Sequence, residues 1–425
     1  MPDTCRCTPK VLHAVIGFAV ALLLSAAAHA ASSPMLAVIQ ARDGLKLEVL
    51  SRDGATPDVM RLAAGALLAL HHRDDAAVAV LTEMTQPGVS ADLRAGACMA
   101  LSDIYLRQSR FAEAHAALNC VQDVSPLTGE ALQALTWTDI LAAEKPMQLV
   151  QRAAGKLDAH QDTAGLTRVP VTINGESEDA VIDTDSSFSV LSESAARRLG
   201  VRVLEKGATI LTSTQPDLPM HLGIADALTF GDAVFRNVVF AVLPNRALRF
   251  AQGYKMDIVV GLPVLVALGR IELAKEGGWQ NLYYGSQPGR AVAEDATPNM
   301  LLSGLDPFVV VQAGKTGVPL RLAIDTAATN TTLNATALRD FPALGEGASR
   351  SWAHWEGGGG AATDNKALSL HDLDLTVAGR PLTVKQVMIY AAPEPDRHGA
   401  LGQDVLKQGK RWVMDFATMR FTIGE

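Results

Sequence analysis

The chain has 425 residues, 48% of them hydrophobic and 19% charged, so it holds material for two or three domains and is too apolar for disorder to dominate. Its formal charge of -8 is spread along the chain without a basic stripe, which argues against nucleic acid as a partner.

Residues 1–30 read as a signal peptide. Arg6 and Lys10 give a positive start, an apolar run follows from Val11 to Ala27, and Ala28-His29-Ala30 is a small-x-small cleavage pattern. The run is also long enough to span a bilayer, so an uncleaved anchor is the other reading. Cleavage would make the protein periplasmic or secreted, with no membrane attachment, because no later segment looks transmembrane. Cys5 and Cys7 would leave with the signal, while Cys98 and Cys120 would remain where disulfides are permitted.

The segment 31–160 is expected to be helical. Leu93, Ala97, Leu101, Ile104 and Tyr105 form one stripe near the 3.6-residue period, and Phe111, Ala114, Ala117, Leu118 and Val121 form the next. Ala77 recurs as Ala114 and Leu81 as Leu118, 37 residues on in each case. Such hairpins look like tetratricopeptide-type repeats, whose period is about 34, although a plain α-hairpin bundle fits as well. Cys98 lies ten residues before Gln108 and Cys120 twelve after it, so a hairpin turning there levels them for a disulfide; two buried thiols are the alternative.

After His160 short alternating strands replace the helices. Residues 161–275 form one unit, the Gly- and Pro-containing stretch 276–300 reads as a linker, and residues 301–425 repeat the unit. With Asp183 and Asp325 in register, Ile182-Asp183-Thr184 matches Ile324-Asp325-Thr326, and Leu191 and Leu333 each lie eight residues after their Asp. Ser192 and Asn334 stand at helix N-cap positions. The interval from Asp183 to Gly261 is 78 residues and that from Asp325 to Gly402 is 77, which indicates an internal duplication.

The paired apolar-apolar-Asp-Thr motifs, each followed by an apolar-apolar-Gly before a short helix, resemble the lobes of retropepsin-like and pepsin-like aspartic proteases of the bacterial type. The resemblance implies a multidomain chain: N-terminal α-helical hairpins, then two all-β lobes with small helices. It implies that Asp183 and Asp325 are a catalytic dyad sharing one proton around a water, without metal or organic cofactor. Thr184 and Thr326 would lock the two loops together, with Ser186 in support. Gly357, Gly358, Gly359 and Gly360 fall where the second lobe's flap would be, or form a surface loop. Ser186, Ser187 and Ser189 read as turn residues, since no His stands as a partner for a Ser nucleophile.

Two positions depart from the family's Asp-Thr-Gly: Asp185 and Ala327. Ala327 adds one methyl group. Asp185 either points outward or adds a third carboxyl to the dyad, and its replacement by Gly is then expected to raise activity or shift its pH optimum downward without loss of the fold. The chain therefore reads as an exported endopeptidase acting on peptide or protein substrates, or as a degenerate protease fold that binds peptides or proteins. A third reading places a protein-docking function in the helical segment.

Overall fold

The computed structural model describes residues 34–424 apart from positions 213, 251–252, 288, 291–296, 356, 360–362, 393 and 395, with backbone only at 279, 353–355 and 363–365. Residues 1–30, read above as a signal peptide, and Gly360 lie outside the described residues. Among the described residues no helix is long and apolar enough to cross a membrane.

Seven helices come first: α1 (Pro34–Gln40), α2 (Gly44–Asp53), α3 (Pro57–Leu70), α4 (Asp74–Glu83), α5 (Ala91–Arg107), α6 (Phe111–Gln122) and α7 (Gly129–Leu141). Local chemistry sets their starts. Thr56 accepts a hydrogen bond from the Val59 amide, with Pro57 pre-shaped for the first turn of α3, and Ser90 caps α5 through the Leu93 amide. The hairpins α3–α4 and α5–α6 turn in the same way, with φ of +54° at His72 and +56° at Ser109. The residues spaced by 37 in the sequence thus occupy equivalent places, and Ala77, Leu81, Ala114 and Leu118 are all buried. Buried Arg107 ties the hairpins together: its Nε donates to Asp74 Oδ2 at 2.9 Å and its Nη2 to the Ala69 carbonyl at 2.8 Å. Cys98 and Cys120 are joined by a disulfide between α5 and α6, with their Cα atoms 6.1 Å apart.

Two β-lobes follow. The first opens with a hairpin, Thr167–Ile173 and Glu176–Ile182, turning at Asn174 and Gly175, whose positive φ values of 50° and 93° match the right-handed strand twist. The strand Ile258–Val260 then lies parallel to Glu176–Ile182 and antiparallel to Ser189–Ser192, so it threads between the two sides of the Asp183 loop. In the second lobe Gly399–Leu401 does the same between Val318–Ile324 and Thr332–Asn334. The threading strand of the first lobe and its neighbour Ser189–Ser192 are buried throughout, as befits strands covered on both faces. Each lobe also projects a long hairpin, Arg202–Ile210 with Leu218–Phe230 in the first and Ser349–Trp355 with Thr363–Val377 in the second.

The lobes share a sheet. Arg411–Asp415, from the end of the second lobe, pairs with Arg420–Gly424 on one side and with Arg270–Glu276 of the first lobe on the other, and the sheet continues into Trp279–Tyr284 and Gly155–Gln161. Two stretches therefore differ from their composition. The strand Trp279–Tyr284 falls within 276–300, because Gly277 and Gly278, with φ of +57° and +86°, make a tight hairpin turn there. The strands Gln148–Gln151 and Gly155–Gln161 fall within 31–160 and pair with lobe strands.

The Cys98–Cys120 bridge spans 22 residues, and replacing both cysteines by Ala is expected to cost about 2–4 kcal/mol. Urea unfolding of the double variant beside the parent protein checks this, and reductant should lower only the parent's midpoint.

Candidate active site

Both Asp loops are built from the same parts. The Asp183 amide donates to the Val260 carbonyl and the Asp325 amide to the Leu401 carbonyl, each at 3.1 Å, so each aspartate hangs on the strand threaded beneath it. The glycine that ends each threading strand is required by close approach. A Cβ at Gly261 would sit 2.2 Å from the Phe188 carbonyl oxygen, and one at Gly402 would sit 2.5 Å from the Asn330 backbone. The Gly261 amide donates to Ser189 Oγ at 3.1 Å and the Gly402 amide to Thr331 Oγ1 at 3.0 Å. Ser189 and Thr331 each lie six residues after their Asp, so the repeat itself carried the signal for this pair, which motif reading passed over.

The two loops are locked to each other. The Thr184 amide donates to Thr326 Oγ1 at 3.1 Å, and the Thr326 amide donates to Thr184 Oγ1 at 3.2 Å. The Thr326 hydroxyl donates onward to the Ile182 carbonyl at 2.7 Å, and the Thr184 hydroxyl donates to the Ile324 carbonyl. Both threonines are fully buried. Ser186 supports its own loop, not the carboxyls: its hydroxyl donates to the Phe188 carbonyl at 2.7 Å, and its carbonyl accepts from the Leu262 amide at 3.0 Å.

The two carboxyls are not equivalent. Asp183 Oδ1 accepts one amide, from Asp185 at 3.0 Å, whereas Asp325 Oδ1 accepts two, from Ala327 and Ala328, both at 2.8 Å. Burial and then the charge of Asp325 push the Asp183 carboxyl up to about 8. Asp325 is also raised by burial, but the amides of Ala327 and Ala328 and the nearby Arg397 pull against that rise. Ala327 thus keeps the amide contact that a glycine would make.

Asp185 turns inward. Arg397 Nη1 lies 3.1 Å and 3.2 Å from its two carboxyl oxygens. Arg397 stands five residues before Gly402, and the matching position before Gly261 is Met256, so this cation breaks the symmetry of the repeat. Nothing in the motif alone marked it.

The tips of the two long hairpins meet. Thr214 Oγ1 donates to the Gly358 carbonyl at 2.7 Å, and the Gly359 amide donates to the Ala247 carbonyl at 3.1 Å. Gly359 has φ of +112°, and a Cβ there would lie 2.6 Å from Thr214 Oγ1, so this position at the hairpin tip has no room for a side chain. Trp352, on the same hairpin, is 65% exposed. Helix α7 grips the opposite tip: Gln133 Oε1 accepts the Leu211 amide at 2.7 Å, and its Nε2 donates to the Pro216 carbonyl at 2.8 Å. Trp137 of α7 packs edge-on against Phe188 of the Asp183 loop, with ring centroids 4.8 Å apart.

A protein-family model described as aspartyl protease matches residues 169–264, from the first hairpin through Asp183-Thr184-Asp185 to the strand and glycine at Gly261. The first lobe is therefore similar to aspartyl proteases, and the second repeats its strand order and loop geometry. None of the curated proteins matches the chain.

Thr184→Val and Thr326→Val each leave buried amide or carbonyl groups without partners. Each is expected to cost roughly 1–3 kcal/mol, and the double variant less than the sum, because one network is lost either way. Urea unfolding of the two single variants and the double variant measures it.

Proposed function

We propose that the protein is an exported aspartic endopeptidase in which Asp183 and Asp325 hold a water between them and hydrolyse peptide bonds. The reading is carried by the reciprocal Thr184–Thr326 bonds, which set two Asp loops face to face while giving their carboxyls unequal donors. Two half-buried acids side by side cannot both ionise readily, so they share a proton. Asp325, with two amide donors and Arg397 nearby, is the carboxylate that takes a proton from the water. Asp183, raised furthest, carries the shared proton and gives it to the carbonyl oxygen as the water oxygen bonds to the carbonyl carbon. As that adduct collapses, one of its hydroxyls returns a proton to Asp183 and re-forms the C=O bond, the C–N bond breaks, and the amine leaves with the proton that Asp325 took from the water. The meeting hairpins would shut water out over a bound peptide.

Export rests on the leader-like pattern of residues 1–30. The helical hairpins, read as tetratricopeptide-like, would recruit a substrate or partner protein, and their grip on a hairpin tip through Gln133 supports a role in opening the cleft. The closed hairpin tips also favour a second reading, in which a peptide is held and not cut.

Purified protein should cut a peptide library, be blocked by a statine-type mimic of the tetrahedral adduct, and lose at least about 100-fold activity as Asp183→Asn or Asp325→Asn. Full cleavage by either variant removes the dyad assignment, and binding of peptides without cleavage by the parent favours the second reading. Because the singly protonated dyad is the working form, activity should persist through neutral pH and fall as pH rises through about 8. A second readout needs no substrate. The folded protein keeps the Asp183 proton above its ordinary value of 3.8, so unfolding releases a proton between 3.8 and about 8, and stability falls as pH rises through that window. Asp183→Asn should flatten that decline in a series of melting temperatures.

A further inference from the structure

Asp185 sits where a third carboxyl would ordinarily disable a proton-sharing pair, yet it is enclosed with a cation and not expelled. Arg397 reaches it with both Asp185 oxygens near 3.1–3.2 Å, and Arg397 Nη2 donates to Asp306 Oδ2 at 3.3 Å. Its Nε lies 3.0 Å from Glu394 and 3.7 Å from Asp396, and its guanidinium stands 5.3 Å from the centre of the Phe308 ring. The side chain is 11% exposed and that of Asp185 21%, so solvent does little of the screening. A second cation comes from the helical segment. Arg42, in the turn after α1, donates to Asp396 at 3.0 Å and to Asp103 of α5 at 3.4 Å, and lies 3.9 Å from Asp306.

We infer that Arg397 is a positioning residue of the dyad: by clamping Asp185 it confines the third carboxyl's charge and sets the pH range over which Asp183 and Asp325 share their proton. This rests on the peptidase reading for its catalytic meaning, but the electrostatic claim stands on the geometry. The groups facing Arg397 are Asp185 from the first lobe, which in turn interacts with Asp183, and Asp325, Asp306, Glu394 and Asp396 from the second. Arg42, Asp103 and Glu130 of the helical segment complete the cluster around Asp306 and Asp396. Carboxyls outnumber the two cations, and Asp306 is pushed up to about 7, by burial first and with Glu130 and Asp396 adding to it. Of the four acids ion-paired with Arg397, Asp185 is the one on a dyad loop: its amide donates to Asp183 Oδ1. Clamping it serves the dyad twice, by holding that amide in place and by cancelling a charge.

The expectation for Asp185→Gly changes accordingly. Removing Asp185 alone takes away one of the carboxyls that answer Arg397, so more of its positive charge acts on Asp325, which favours ionisation of the dyad and not a restored family site.

The test follows the dyad carboxyls by carbon-13 NMR in the full chain labelled at aspartate, with Asp183→Asn to assign the signals. Arg397→Met is expected to raise the dyad's titration by about one pH unit or more, and Asp185→Asn to lower it similarly. The double variant should return close to the parent. Asp185→Asn keeps the side-chain shape and an acceptor for Arg397, and it carries the test if Arg397→Met does not fold; Arg397→Lys, which keeps the cation, should move the titration least. The falling limb of the pH–rate profile should move in the same order. Titrations that coincide in the parent, Asp185→Asn and the double variant overturn the inference, since a merely structural ion pair would change stability and leave the titration where it was. If the titrations move as expected but no variant cuts peptide, the clamp stands and the peptidase reading fails. Cleavage with coincident titrations and pH profiles has the opposite meaning.

Discussion

Four hydrogen bonds centred on Thr184 and Thr326 hold this protein's two lobes in the one arrangement that gives the site any chemistry. Each threonine takes the other's amide and gives its own hydroxyl to the strand behind the opposite aspartate. Both are fully buried, so their donors and acceptors have no water to turn to, and sliding one loop past the other would strand several polar groups at once. The position of the Asp183 loop relative to the Asp325 loop is therefore fixed by bonds between two threonine hydroxyls and the backbone of the opposite loop. The sheet that joins Arg411–Asp415 and Arg420–Gly424 to Arg270–Glu276 does the same work on a larger scale, because it makes the lobes one body.

Within that symmetric frame the chemistry comes from departures from symmetry. One aspartate receives two amides and the other one, so two residues of the same type stand in unequal surroundings, the difference on which the proposed division into base and proton carrier rests. Arg397 replaces what is Met256 in the first lobe, and its cation answers the carboxyl that replaces a glycine at Asp185. Taken singly, each of these substitutions reads as damage to a motif. As a pair, they leave little net charge at the mouth of the dyad.

The helical segment is bound into this site at three points. Gln133 clamps the tip of one hairpin, Trp137 packs on Phe188 of an Asp loop, and Arg42 enters the acid cluster around Asp306 and Asp396. The buried Arg107–Asp74 pair and the Cys98–Cys120 bridge stiffen the hairpins that present those groups. A movement of these helices would thus reach both the lid and the charge balance of the cleft.

Much of this was legible in the chain itself. Period-3.6 stripes marked the helices, alternation marked the strands, and the interval of 78 and 77 residues between Asp and Gly marked two equivalent lobes, because short-range patterning and repetition survive in one dimension. Asp183, Asp325, Thr184 and Thr326 stood out for the same reason. The linker-like stretch 276–300 misled because a Gly-Gly hairpin turn has the composition of a loop, and only pairing with Gly155–Gln161 and Arg270–Glu276 reveals the strand. Arg397 was invisible because an ion pair between residues 212 apart leaves no local pattern. Sequence determined the elements and the two aspartates; tertiary structure alone decided which charges face them, since electrostatic environment depends on distance through space and not along the chain.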